Sequence, residues 1–142
     1  MRIALASDHA GFELKDDLLG WLRDAGHTVE DYGVCDGQSA DYPDIGRPAA
    51  LAVAHGKADF AILLDGAGIA MSIVANRIPY VRAALCNEPV SARLAREHND
   101  ANVLCLGGRM IGPVMARRIV ETFLSTDFAG GRHERRVAKI EG

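Results

Sequence analysis

The sequence predicts an α/β domain built on a parallel five-stranded sheet with helices on both faces, and three observations predict it. Short apolar runs of strand length alternate along the chain with stretches whose apolar residues recur at helical spacing. The clearest runs are almost unbroken in Ile, Leu, Val and Ala, as suits strands buried on both faces. The length, 142 residues, fits one domain, and a chain of that size buries roughly 68–70% of its unfolded surface without help from disulfides or metals.

The elements follow in order. Residues 3–7 are a compact apolar strand. Residues 13–25 place Leu14, Leu18, Trp21 and Leu22 at helical spacing, and Gly26 stands where a glycine ends a helix. Residues 28–32 read as a second, more acidic strand. Residues 33–44, rich in Gly, Asp, Ser and Pro, read as a long loop, and long loops in compact domains often carry function. Residues 45–55 are alanine-rich and helical, and 60–64 (Phe-Ala-Ile-Leu-Leu) are the clearest strand. A Gly-rich turn leads into a helix that runs to about residue 76. Residues 81–85 form a fourth strand, and 90–97 a helix whose first turn accepts Pro89. Residues 103–106 form the fifth strand, followed by a helix over 113–124. The basic tail, 129–139, has Gly130-Gly131 as a hinge before a short helical stretch. One domain thus spans 1–142, with 129–142 as a C-terminal helical tail.

Composition narrows the function. Net charge is −3, which excludes a general attraction to nucleic acid or an anionic membrane, so a bound anion needs a local cluster of cations. Cys35, Cys86 and Cys105 are odd in number and form no C-x-x-C pair, which argues against a disulfide framework or zinc knuckle and for a reducing compartment. The apolar start is too short for a signal peptide, and no run reaches a membrane span; the expectation is a cytoplasmic protein.

In sheets of this class ligands bind beyond the carboxyl ends of the strands, so functional residues are expected just after strands. After the first come Asp8, His9 and Gly11; the Asp-His pair suits a sugar hydroxyl, a proton or a phosphate, while Asp8 as a plain helix cap is the competing reading. After the third comes Asp65-Gly66-Ala67-Gly68, opening a helix. Its glycines let backbone approach a ligand, and its free N–H groups favour a phosphate or a developing oxyanion. The loop is neither a P-loop nor G-x-G-x-x-G, because the third glycine position is Met71. Asp65 is a candidate base or a simple cap. After the fourth strand, Cys86 either lines the site or is an inert buried thiol. His98-Asn99-Asp100 falls between a helix and the fifth strand, and Arg109 follows that strand on the same rim as the other groups. Arg132, His133, Arg135 and Arg136 form the one concentrated basic cluster, with Arg132 and Arg136 on one helix face. Arginine forks suit phosphate; a solvated basic tail is the alternative. Together these groups point to proton transfer on a small anionic substrate.

The residues resemble the ribose-5-phosphate isomerase B and galactose-6-phosphate isomerase group. The matching segments are Ser7-Asp8-His9-Ala10-Gly11-Phe12, Asp41-Tyr42-Pro43, Gly66-Ala67-Gly68, Ala75-Asn76-Arg77, Val81-Arg82-Ala83, Glu97-His98-Asn99-Asp100-Ala101-Asn102-Val103 and Gly130-Gly131-Arg132-His133-Glu134-Arg135-Arg136-Val137. They lie in order from about residue 2 to 138. The resemblance implies a three-layer Rossmann-like domain and an aldose–ketose isomerase of a phosphorylated sugar, most simply ribose 5-phosphate. It implies a homodimer or tetramer with active sites shared between subunits, the tail packing on the partner, and no metal or organic cofactor. It also implies that Asp8 and His98 assist ring opening and that His9, Arg109, Arg132 and Arg136 hold the phosphate. Tyr42 and Asn99 then contact the sugar, and the N–H groups of Gly66, Ala67, Gly68 and Ile69 stabilise the enediolate.

Three positions depart from the group's pattern. Many members carry a cysteine base where this chain has Asp65, others a glutamate at the position of Met71, and Thr or Ser is common at that of Ala67. The A-type subunits of galactose-6-phosphate isomerase share the aspartate. Asp65 is able to serve as base: an ordinary aspartate, with a pKa near ~3.9, is ionised at pH 7, and ketosteroid isomerase, a general example, uses an Asp base for a similar proton shuttle. Alternatives are another aldose phosphate (allose, galactose or erythrose type), a non-catalytic sugar-phosphate-binding subunit, or a flavodoxin-like or nucleotide-binding module, the last disfavoured by the lack of a phosphate-loop fingerprint.

Overall fold

A computed structural model describes all 142 residues. Five strands, β1 (Arg2–Ser7), β2 (Thr28–Asp31), β3 (Phe60–Asp65), β4 (Ala83–Leu85) and β5 (Val103–Gly107), form one sheet in the order β2-β1-β3-β5-β4. Every pairing is parallel. The helices are α1 (Phe12–Asp24), α2 (Tyr42–Ala54), α3 (Ile69–Ala75), α4 (Pro89–Asn99), α5 (Pro113–Ser125) and α6 (Arg132–Ala138). A short 3-10 turn, His9–Gly11, joins β1 to α1. The fold is the three-layer, Rossmann-like α/β arrangement expected from the sequence. No helix is long and apolar enough to cross a membrane.

Alternation along the strands sends side chains into two different cores. Ile3, Leu5, Ile62, Leu64, Leu104 and Leu106 meet α1, α4 and α5. On the other face Ala4, Ala6 and Ala61 meet Ala49, Ala50 and Ala52 of α2, with Met71 of α3 closing the layer. Small residues on both sides let α2 lie close to the sheet. The chain runs from β1 outward to β2 and then crosses back past β1 to β3, so the switch point falls between the carboxyl ends of β1 and β3.

Two elements differ from expectation. α2 begins at Tyr42, three residues before the expected start, because Pro43 fits the first turn of a helix, where no amide partner is needed. β4 begins at Ala83 rather than residue 81. There Tyr80 takes a positive φ of 65°, and the Arg82 amide donates to the Asn102 side chain at 2.8 Å. That chain stretch is a turn, and the edge strand is short.

Candidate active site

The switch point gathers one set of predicted residues. The Asp8 amide donates to the Leu64 carbonyl (3.1 Å), the Gly108 amide to that of Asp65 (2.8 Å) and the Arg109 amide to that of Gly66 (3.0 Å). These bonds tie the carboxyl ends of β1, β3 and β5 into one rim. Contact is close enough to require glycine: a Cβ on Gly108 would stand 2.8 Å from the Gly11 Cα, and one on Gly68, whose φ is +80°, would stand 3.0 Å from the Leu106 carbonyl carbon.

Asp8 and Asp65 are both buried on this rim, 7% and 6% exposed. Asp8 does act as a cap, since its Oδ1 accepts from the amides of Ala10 (2.9 Å) and Gly11 (3.2 Å). The same contacts fix the carboxylate beside Asp65. Burial holds the Asp65 carboxyl above the usual carboxylate range; the amides of Met71, Ala70 and Gly68 draw it back, while the Asp8 charge raises it further. The Met71 amide donates to Asp65 Oδ1 at 3.4 Å, but the Met71 side chain is wholly buried against Gly46 of α2. Position 71 therefore serves this site through its backbone alone. The half-exposed Gly66 and Ala67 and the exposed Ile69 form the turn above Asp65. His9 and Arg109, both exposed, line a hollow of about 340 Å³ with Phe12, Glu13, Gly37 and Gly108. Tyr42, 40% exposed, opens α2 at the same end of the sheet.

A second set lies elsewhere. His98 and Asn99 end α4, ahead of β5, whereas Gly107 and Arg109 follow that strand. The two sets are therefore separated by the length of β5, about 16 Å at ~3.3 Å per residue. Within one chain Asp8, His9, Asp65 and Arg109 share the rim, while His98 and Asn99 stand apart from it. α6 packs on α4, and the His133 ring stacks on that of His98, with centroids 4.5 Å apart and planes 14° from parallel. His98, Asn99, His133 and Arg136 line a hollow of about 390 Å³ with Val137 and Ile140. Partial burial first, then the charges of His98, Arg132 and Arg136, hold His133 below the usual histidine range. His133 was visible in the sequence only as part of a basic cluster; its i, i+3 spacing to Arg136 was the signal that both share a face.

Chemically the two sets are complementary. One offers a buried carboxylate of raised pKa held by helix-start amides, beneath the turn of Gly66, Ala67 and Ile69; the other offers imidazoles and guanidinium groups. Arg109, Arg132 and Arg136 form none of the chain's six ion pairs, which engage Arg2, Lys15, Arg82, Arg93, Arg96 and Arg117. They are free to meet an anion. Cys86 and Cys105 are buried and their thiols are pushed up by that burial, so neither is a nucleophile at neutral pH. No three His, Cys, Asp or Glu side chains gather as metal ligands.

Residues 3–140 match the Ribose/Galactose Isomerase family. The crystal structure of a ribose 5-phosphate isomerase from Thermotoga maritima is 54% identical and superposes with a TM-score of 0.97, over 99% of this chain and 97% of that one. Ribose-5-phosphate isomerase B of Clostridium thermocellum is 45% identical with a TM-score of 0.98, covering 99% and 95% of the two chains. Ribose-5-phosphate isomerase B of Escherichia coli (strain K12) is 43% identical over 139 residues, 98% of this chain and 93% of that protein.

Proposed function

Because this chain belongs to the ribose/galactose isomerase family, we propose that it interconverts ribose 5-phosphate and ribulose 5-phosphate through an enediolate, with Asp65 as the base. It is an aldose–ketose isomerase of a phosphorylated sugar. The observation that carries the assignment of the base is a buried carboxylate, raised in pKa, at the carboxyl end of β3 and next to the amides that open α3. A base of raised pKa takes a carbon-bound proton more readily than an ordinary aspartate.

The steps follow from the residues. Asp8 and the imidazole of His98 move protons as the furanose ring opens to the aldehyde. Asp65 removes the C2 proton, and negative charge develops on O1, where the amides of Gly66, Ala67, Gly68 and Ile69 stabilise it. The same carboxyl returns the proton to C1 while the O2 proton passes, directly or through a neighbouring group or solvent, to O1, leaving the C2 ketone and a C1 hydroxyl. His9, Arg109, Arg132 and Arg136 hold the phosphate throughout. Tyr42 and Asn99 contact the sugar.

One chain does not bring these groups together, since about a strand's length separates Asp65 from His98. The separation supports a site completed by a second copy, the first chain giving Asp8, His9, Asp65 and Arg109, and the second His98, Asn99, Arg132 and Arg136. Exposed Ile69, Ile73, Tyr80, Met110, Val114 and Ile140 supply apolar surface for such an association. The tail, carrying Arg132 and Arg136, then reaches the partner's substrate.

Turnover in deuterated water tests the base. The wild-type protein should wash deuterium into C1 of ribulose 5-phosphate, and Asp65→Asn should abolish this wash-in. Exchange near the wild-type rate in that variant would remove Asp65 from the role.

A further inference from the structure

A helix end leaves its last carbonyls without partners, and the turn that carries His98 and Asn99 is such an end. In this chain those carbonyls are met by two arginines from different parts of the fold. Arg82, in the turn before β4, donates through Nε to the carbonyls of Asn99 (3.0 Å) and Asp100 (3.1 Å), and through Nη2 to Asp100 again (2.9 Å). Arg96, one turn back on α4, donates through Nη1 to the Ala101 carbonyl (2.6 Å). Asp100 lies between them in the left-handed region (φ 46°, ψ 45°), its Oδ1 2.8 Å from Arg96 and its Oδ2 3.4 Å from Arg82.

The Arg96 guanidinium is buried against the rings of Phe60 and Phe123, at 4.9 and 5.7 Å, so one side of this arrangement is anchored in the core. Its Nε donates to the Thr126 carbonyl (3.2 Å), just past the end of α5. The Ala129 amide donates to the Glu97 carbonyl (3.0 Å). The carbonyls of residues 97, 99, 100 and 101 are thus all engaged around His98, and the same contacts fix where the tail departs toward Arg132.

We propose that Arg82 and Arg96, joined through Asp100, are positioning residues: a guanidinium clamp that sets the aim of His98. The proposal rests on the reading in which His98 assists ring opening. Two positive groups at the carboxyl end of α4 also complement the helix dipole, so the clamp is stable without substrate.

The test separates ring opening from the proton shuttle. Ribulose 5-phosphate has its O5 blocked by phosphate and stays open-chain, so deuterium exchange at its C1 needs Asp65 but no ring step. Net conversion of ribose 5-phosphate needs both. In Arg82→Ala, net turnover should fall about tenfold or more, as expected for a catalytic group displaced by a fraction of an ångström to an ångström. Exchange at C1 should fall much less, so the exchange-to-turnover ratio rises, as it should in His98→Ala. Because Arg82 acts through His98, the double variant should turn over no more slowly than His98→Ala alone.

Arg82→Ala with wild-type turnover, an unchanged ratio, or an additive double variant would overturn the clamp. Should Arg82→Ala not fold, Asp100→Asn serves instead: asparagine tolerates the left-handed region but lacks the charge that joins the arginines. The ratio should then rise in the same direction, and an unchanged ratio would again overturn the proposal. A His98→Ala variant with wild-type turnover would bring down the ring-opening reading and the clamp with it. A crippled His98→Ala beside an unaffected Arg82→Ala would remove the clamp alone.

Discussion

The rim at the carboxyl ends of β1, β3 and β5 and the corner where α4 meets α6 are built on opposite plans. At the rim, two buried carboxylates are held by backbone amides and by glycine contacts too tight for a side chain. At the corner, Arg132 and Arg136 stand exposed on a short helix with no carboxylate partner, and the backbone beneath His98 is fixed. The difference suits the proposed tasks. A base must be desolvated and rigid to have a useful pKa, whereas phosphate-binding groups must stay free until an anion arrives.

The first way to break this contrast is to neutralise the rim. Asp65→Asn should lower kcat by about 10²- to 10⁴-fold, the usual worth of a positioned base. It should also raise Tm at neutral pH. Burial makes Asp65 hold its proton more tightly in the folded chain than in the unfolded one, so ionising it costs stability as pH rises from the ordinary carboxylate range through the raised value. Asparagine removes that cost. A calorimetric scan showing a lower Tm at pH 7 would count against a strained, functional carboxylate.

The corner should respond differently. Arg132→Ala should raise KM for the sugar phosphate about 10- to 100-fold, the loss of one or two charged hydrogen bonds, with kcat changed far less. Steady-state kinetics that showed an unchanged KM would refute its phosphate role. A finer probe is Asp8→Asn, read by the pH profile of kcat/KM. The Asp8 charge raises the Asp65 pKa, so its removal should move the acidic limb to lower pH, whatever happens to the plateau. The smallest effect expected is that of Cys86→Ala. That buried thiol is on neither half of the site, and turnover should stay within about twofold, since a structural cysteine is inert.

The rim was largely legible in the sequence, because strand-like runs are followed directly by Asp8, by Asp65 with its glycines and by Arg109. The corner was legible as residues but not as a place. His98 precedes β5 and Arg109 follows it, and in a parallel sheet this order puts them at opposite ends, a separation that only the strand pairing makes plain. The start of α2 at Tyr42 was hidden by Pro43 and two aspartates, which suit a loop as well as a first helical turn. The burial of Met71 against Gly46, and the clamp on Asp100, depend on contacts between distant segments that no local pattern reports.

Mixing two disabled chains tests the division of the site most directly. Asp65→Asn and His98→Ala are each expected to be inactive alone. In a hybrid dimer, one site joins both lesions while the other joins the intact rim of one chain to the intact corner of its partner. Equal amounts allowed to exchange subunits should therefore recover about a quarter of wild-type activity, half the dimers being hybrids with one good site in two. No recovery, with hybrid formation verified by native mass spectrometry, would contradict a site built from two copies.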